Sequence, residues 1–112
     1  MHKVDIKPLS VNEAWKGKRY KTDKYKKYQK EVLILLPKLD INKESFLNIT
    51  LEFGFSNLSS DIDNPVKMIL DIFQKKYGFN DAKIFKLKLY KKKVEKSQEY
   101  FKFEIKEITK KK

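Results

Sequence analysis

Apolar and polar residues alternate in three stretches of the chain, 47–53, 85–89 and 101–105, and more briefly at 3–7. Alternation with a period of two is typical of strands with one buried face. The apolar positions are Val4 and Ile6, then Leu47, Ile49, Leu51 and Phe53, then Phe85, Leu87 and Leu89, and finally Phe101, Phe103 and Ile105. Pro8 ends the first strand, because proline cannot donate a ladder hydrogen bond. The lysine-rich residues 91–99 are expected to form a hairpin loop between the last two strands.

Two other stretches have the spacing of amphipathic helices. Thr22 and Asp23 begin the first, and Pro37 ends it. Asn64 is predicted to cap the second, with Pro65 at its first helical position and Gly78 at its end. The apolar stripes are Tyr25, Tyr28, Val32 and Leu35 in the first helix and Val66, Ile69, Phe73 and Tyr77 in the second.

The order strand, helix, strand, helix, strand, strand predicts one small α/β (α+β) domain. We expect a mixed sheet of about four strands with two main helices packed against it. A chain of 112 residues is long enough for one domain and too short for two. The domain is expected to span residues 1–109, with a basic tail at 110–112, and residues 9–21 read as a polar, basic loop.

The formal net charge is +12. Such a surplus indicates an anionic partner, nucleic acid first and an anionic membrane second, although a lysine-rich composition that only raises solubility is the alternative. No stretch joins a basic face to a large apolar one, and we see no membrane span or signal peptide, so a cytoplasmic protein without a membrane partner is expected. The chain has no cysteine, and its single histidine, His2, lies at the amino end. A metal would therefore be held by oxygen ligands, which favour Mg²⁺ or Mn²⁺.

Four aspartates lie close together in the sequence of this basic chain: Asp61, Asp63, Asp71 and Asp81. If 61–63 is extended, the first two side chains project to the same side, about 7 Å apart. Lys67 and Asp71 follow Asp63 at successive helical turns and share one helix face. A reversal of the chain after Gly78 would return Asp81 toward that helix. Converging carboxylates would form an all-oxygen site for Mg²⁺.

Each of these residues also has an ordinary structural explanation. Asp63 near a helix start is often only a cap, and Lys67 with Asp71 can be a simple i,i+4 pair. Asp81 beside Asn80 suits a turn. Spacing alone leaves both interpretations open.

The segment 61–71, with Asp61, Asp63, Asn64, Lys67 and Asp71 in place, resembles the D-x-D-N-x-x-K-x-x-x-D signature of the RusA family of Holliday-junction resolvases. Residues 78–84 are similar to that family's glycine, short apolar segment, acidic pair and return into a strand. Residues 8–15, from Pro8 through Ser10 and Asn12 to Trp15, resemble its P-x-S-x-N stretch. The matches follow the family's order over nearly the whole chain.

The resemblance implies a homodimeric, Mg²⁺-dependent endodeoxyribonuclease, with Mn²⁺ as a substitute, that nicks four-way DNA junctions in recombination and repair. It implies catalytic and metal-binding roles for Asp61, Asp63 and Asp81, a catalytic role for Lys67, and Asp71 as a further candidate ligand. It implies no organic cofactor. The family usually has two adjacent acids where this chain has Asn80 and Asp81, and the second acid is the one retained.

Candidate DNA contacts come from basic runs, from the polar loop and from motif positions. They are Asn12, Trp15, Lys16, Lys18, Arg19, Lys21, Asn64, Lys91, Lys92 and Lys93. Lysine outnumbers arginine, which suits recognition of shape and phosphates better than bidentate contacts to guanine. The alternative is a non-catalytic basic protein that binds DNA or RNA, in which the aspartates only cap and brace the fold.

Overall fold

Two helices and a four-stranded sheet make up most of the chain in a computed structural model, which describes residues 1–9, 15–16, 20–57, 59 and 61–108. The elements are β1 (His2–Val4), β2 (Trp15–Lys16), β3 (Tyr20–Lys21), α1 (Asp23–Leu35), β4 (Phe46–Phe55), α2 (Val66–Tyr77), a 3₁₀ turn (Asp81–Lys83), β5 (Ile84–Lys93) and β6 (Tyr100–Ile108). The predicted α/β class and the predicted order of the main elements are confirmed.

The sheet has the strand order β1-β6-β4-β5. β4 pairs in parallel with β5 and antiparallel with β6, so β4 lies between the last two strands of the chain. The predicted hairpin between them is therefore wrong. Lys91–Lys93 belong to β5, and residues 94–99 cross the end of β4, where the Val94 N–H donates to the Phe55 carbonyl oxygen at 2.9 Å.

One face of the sheet carries the hydrophobic core. Leu47, Ile49, Leu51 and Phe53 of β4 are fully buried, as their alternation predicts. Phe101 and Phe103 of β6 lie beside them on the same face. Both helices contribute to this one cluster, and the rings of Phe73 in α2 and Phe103 have centroids 4.8 Å apart. No helix in the described part of the chain covers the other face of the sheet.

Phe85 does not join this core, contrary to its predicted alternation with Leu87 and Leu89. The pairing of β4 with β5 shifts register at Leu47 and Asn48, which lie opposite Ile84 and Lys86. Phe85 is the extra residue at this irregularity. Its side chain lies on the face opposite the helices, where 61% of it is exposed. A bulge reorients a side chain in this way because successive residues of a strand point to opposite faces.

The first helix begins where the sequence predicts. Thr22 caps it, since its Oγ1 accepts from the Tyr25 N–H at 3.1 Å. Tyr25, Tyr28 and Val32 are buried as expected. Leu35 is not: it is 51% exposed, and Leu36 is buried in its place. The helix ends at Leu35, and the extended backbone of Leu36 directs that side chain to the core.

The second helix begins one residue later than predicted. Pro65 occupies the N-cap position, Val66 is the first helical residue, and no side chain caps the helix. The predicted capping role of Asn64 is therefore wrong. Gly78 ends the helix in a left-handed conformation with φ 79°, as predicted. Glycine suits this position because it has no Cβ to clash there.

Part of the predicted polar loop 9–21 is paired. Lys16 and Trp15 of β2 lie opposite Tyr20 and Lys21 of β3 in a short antiparallel ladder. The expected basic tail, 110–112, lies outside the described residues. Within the described ranges, no helix is long and apolar enough to cross a membrane.

Candidate functional site

A polar cavity of about 340 Å³ lies at the carboxyl end of β4. Its wall is formed by the segment after β1, the end of β4, the residues before α2 and the residue before β6. Lys7, Ser56, Asn57, Asn64 and Glu99 are among the side chains that line it. The strand ends meet here because residues 94–99 pass over the end of β4.

The turn 61–64 leads from this cavity into α2. The Asn64 N–H donates to the Asp61 carbonyl oxygen at 3.2 Å, and the Val66 N–H donates to that of Asp63 at 3.1 Å. The predicted extended conformation of 61–63 is therefore wrong: the backbone already turns there. Asp61 and Asp63 are both exposed, and Asn64 is half-buried in the cavity wall. The turn thus presents two carboxylates to solvent beside the cavity.

Glu99 is a carboxylate of the same cavity that the sequence did not single out. The Ser56 hydroxyl donates to its Oε2 at 2.7 Å. This hydrogen bond is the main reason that the pKa of Glu99 lies below its ordinary value, and the charge of Lys7 acts in the same direction. No sequence motif marks Glu99, since only the path of residues 94–99 over β4 brings it to Asn64.

Lys67 and Asp71 lie on the first turns of α2, one turn apart. Lys67 is exposed, whereas Asp71 is half-buried toward α1. Burial and, to a smaller degree, the charge of Asp71 raise the pKa of Tyr25 in α1 to about 12. The ion pairs of the described residues include none between Lys67 and Asp71. The simple i,i+4 pair is therefore not formed, and the ammonium group of Lys67 points to solvent.

Asp81 lies near the other end of α2. Its backbone N–H donates to the Gln74 Oε1 at 3.1 Å, so the chain does turn back toward the helix after Gly78. Gln74 shares a helix face with Lys67 and Asp71, at spacings of seven and three residues. However, the helix rises about 12 Å between Val66 and Gln74, and this rise separates Asp81 from Asp61 and Asp63.

Among the described residues, no three histidine, cysteine, aspartate or glutamate side chains lie close enough together to hold a metal ion. The chemistry of the donors still suits Mg²⁺, which is commonly held by one or two carboxylates while phosphate and water complete its six ligands. The assignments of Asp61, Asp63, Asp71 and Asp81 as ligands stay predictions.

The candidate DNA contacts do not form one surface in the described part of the chain. Lys92 projects from β5 with Gly54 on the face without helices, whereas Lys91 and Lys93 pair with Phe53 and Phe55 on the helix side. The Lys21 ammonium lies 5.1 Å from the Tyr25 ring centroid. Trp15 and Lys16 lie in β2, and only their backbone is described. Asn12, Lys18 and Arg19 are outside the described residues.

A scan of the chain against models of protein families found no match. A search of curated proteins also found no similar sequence. The likeness to the RusA family rests on the motif residues quoted above.

Proposed function

We propose that this protein is a structure-selective endodeoxyribonuclease that resolves four-way DNA junctions by Mg²⁺-dependent hydrolysis of phosphodiester bonds. One observation carries the proposal: the turn 61–64 presents two exposed carboxylates beside a polar cavity, and exposed Lys67 follows on the first turn of α2. The net charge of +12 suits a polyanionic substrate. The resemblance of 61–71 to the RusA signature supplies the reaction.

The proposed roles follow from the chemistry of each side chain. Mg²⁺, when bound, activates water and balances the charge of the phosphate. Asp61 and Asp63 are assigned to hold the ion, and Lys67 to contact the charge that develops on the scissile phosphate. Asn64 is assigned to a DNA contact from the cavity wall. Glu99, whose carboxylate accepts from the Ser56 hydroxyl, offers a further carboxylate oxygen to the same cavity.

The proposal includes a homodimer in which Asp81 acts in the site of the other copy. Within one chain, most of the length of α2 separates Asp81 from Asp61 and Asp63. In the proposed twofold dimer, α2 of each copy lies near the interface, and Asp81 of the partner subunit lies close to Asp63. The symmetry gives the dimer two such sites. Such a dimer also matches the twofold arrangement of a four-way junction.

The nuclease activity is tested with a labelled four-way junction, with and without Mg²⁺. We expect metal-dependent nicks near the branch point with the unaltered protein. Asp61→Asn, Asp63→Asn and Asp81→Asn should each abolish cleavage and keep junction binding, because they remove ligand charge without adding repulsion for phosphate. Asp40→Asn, at an exposed aspartate outside the candidate site, is the matched control. Near-normal nicking by two of the three variants would overturn the assignment.

The shared site is tested by mixing variants. Heterodimers of Asp63→Asn with Asp81→Asn chains contain one site with both changes and one site with neither, so nicking of one strand should return. Heterodimers of Asp61→Asn with Asp63→Asn chains carry one change in each site and should stay inactive. If neither mixture regains activity while both form dimers, Asp81 acts in its own chain or not at all.

A second candidate function is binding of nucleic acid without catalysis. It is favoured by the lack of a three-carboxylate group among the described residues and by the lysines on the open face of the sheet. The same assay separates the two functions. A non-catalytic protein retains the junction in a gel, in Mg²⁺ or Mn²⁺, and produces no nicks.

A further inference from the structure

The sheet face opposite the helices is basic, and we call it the open face because no helix of the described residues covers it. Alternate residues of its four strands project from this face. Among the described residues, these include six lysines and only two glutamates. The lysines are Lys3, Lys86, Lys88, Lys92, Lys102 and Lys106, and the glutamates are Glu52 and Glu104. This excess of positive charge indicates that the open face contacts an anion.

The irregular pairing at the start of β5 places the ring of Phe85 on this face. The Phe85 ring stacks on Phe46, with centroids 4.0 Å apart and 22° between the planes. The Lys83 ammonium lies 5.5 Å from the Phe46 ring centroid, so a cation sits beside the stacked pair. Phe85 is nevertheless 61% exposed. Its orientation is thus fixed by Phe46 while much of its surface remains accessible.

The charges are distributed unevenly across the open face. Glu52 lies 3.8 Å from the Lys92 ammonium and 3.9 Å from that of Lys102, and Glu104 lies 3.7 Å from that of Lys106. The two glutamates therefore partly neutralise the lysines of β6 and the lysine near the end of β5.

The first part of β5 keeps its positive charge. Lys86 and Lys88 are exposed and form no ion pair with any residue that the structure describes. Along the strand they lie between Phe85 and Tyr90, and Tyr90 is 51% exposed. We call these four side chains the β5 strip.

We infer that the β5 strip binds an unpaired strand of nucleic acid, with bases stacked on Phe85 and Tyr90 and phosphates contacted by Lys86 and Lys88. Aromatic rings on a basic surface bind single strands, because every unpaired base offers a flat face. A duplex keeps those faces stacked inside and offers the rings nothing equivalent. Phe85 and Tyr90 are about 16 Å apart along the strand, which leaves room for several nucleotides.

A second copy of the chain is a less suitable occupant. β5 is an edge strand, and edge strands can pair with another chain. Yet half of its ten residues are lysines, so two copies paired through β5 would bring like charges together. Lysines on an edge oppose such pairing and favour a polyanion. The inference concerns binding and does not depend on the proposed nuclease activity.

The test measures binding of the full chain to a labelled oligothymidine by fluorescence anisotropy, in EDTA so that no cleavage occurs. The other probes are a duplex and an abasic strand of the same length. We expect the oligothymidine to bind more tightly than the abasic strand. Phe85→Leu, which keeps an apolar side chain without a flat ring, should weaken binding to the oligothymidine about tenfold and leave the abasic strand unaffected. Phe85→Tyr should restore tight binding.

Lysine variants separate the strip from the overall charge. Each phosphate contact on a single strand contributes about 0.7 to the slope of log affinity against log salt. Changing both Lys86 and Lys88 to Gln should therefore make this slope shallower by about 1.4. Lys27→Gln with Lys30→Gln, on the exposed side of α1, removes the same charge elsewhere and should change the slope less.

Three results would overturn the inference: equal affinity for oligothymidine and the abasic strand, an unchanged affinity in folded Phe85→Leu, or equal slopes for the two lysine pairs. If Phe85→Leu does not fold, backbone amide shifts of the unaltered protein decide. Oligothymidine should then perturb β5 and the adjacent β4 and spare α1, and perturbation of α1 alone would refute the site. Absence of nicking in the junction assay leaves these results unaffected.

Discussion

Lys67 is an exposed side chain on the first turn of α2, the helix that follows the turn 61–64 and its two carboxylates. If it contacts the scissile phosphate, Lys67→Ala should cut roughly 10²-fold more slowly and still fold, dimerise and bind a junction. Lys67→Arg should also lose activity, because the guanidinium places its donors differently. Rates of junction nicking at saturating Mg²⁺ check this prediction.

The matched control for Lys67 is Lys75→Ala, an exposed lysine on the same helix. It should leave the rate unchanged. A solvent-exposed charge without a catalytic role contributes at most about 1 kcal/mol to stability, so its removal hardly alters activity. Equal rates for Lys67→Ala and Lys75→Ala would contradict the catalytic role.

Gly54 lies where β4 passes beneath the ring of Tyr100. A Cβ at this position would overlap that ring, which is nearly buried and whose hydroxyl donates to Glu52 Oε2 at 2.6 Å. Gly54→Ala should therefore lower the free energy of unfolding by about 1–3 kcal/mol, as overpacking does. Urea denaturation measures the loss. In a Tyr100→Leu background the same change should cost less, and an undiminished cost would show that the ring is not the cause.

At the scale of elements, the two helices begin in different ways. Thr22 caps α1 through its side chain, whereas α2 has no side-chain cap. Thr22→Ala should cost about 1 kcal/mol of stability, and Thr22→Ser should retain most of it. Asn64→Ala should cost clearly less than Thr22→Ala, in contrast to the role that the sequence pattern predicts for Asn64. Chemical denaturation of the three variants provides the measurement, and a larger loss for Asn64→Ala would contradict the observed cap.

At the scale of the whole molecule, buried tyrosines limit stability in alkali. Burial raises the pKa of Tyr25, Tyr77 and Tyr100 to about 12, from the ordinary tyrosine value of 10.0, and raises that of Tyr28 as well. The unfolded chain therefore releases these protons at lower pH than the folded protein. Their contribution to stability is complete below pH 10 and is lost as the pH rises toward about 12.

We expect the urea concentration at the unfolding midpoint to decrease as the pH rises from 10 to 12. The tyrosinate absorbance of the folded protein should rise at a higher pH than that of the unfolded chain. Tyr28→Phe, which removes one of the phenols whose pKa burial raises, should lessen the loss of stability over this range. A midpoint that stays constant to pH 12 would contradict the burial of these hydroxyls.

Local sequence patterns determined the elements and much of the core. The alternation in 47–53 and 101–105 predicts two buried strand faces, and the helical spacing from Val66 to Tyr77 predicts the core face of α2. Thr22 and Gly78 predict helix ends that the structure confirms. These features are accessible because a strand or helix repeats over a few residues, so burial leaves a period in the sequence itself. The resemblance of 61–71 to a nuclease signature is equally local.

Which distant segments meet is visible in the folded chain and in no local pattern. β4 lies between β5 and β6, Glu99 reaches the cavity beside Asn64, and α2 separates Asp81 from Asp61 and Asp63. The irregular pairing of β5 turns Phe85 away from the core, because a one-residue shift moves a side chain to the other face. Strand partners and their register depend on contacts between residues far apart in the chain, and no local period records them.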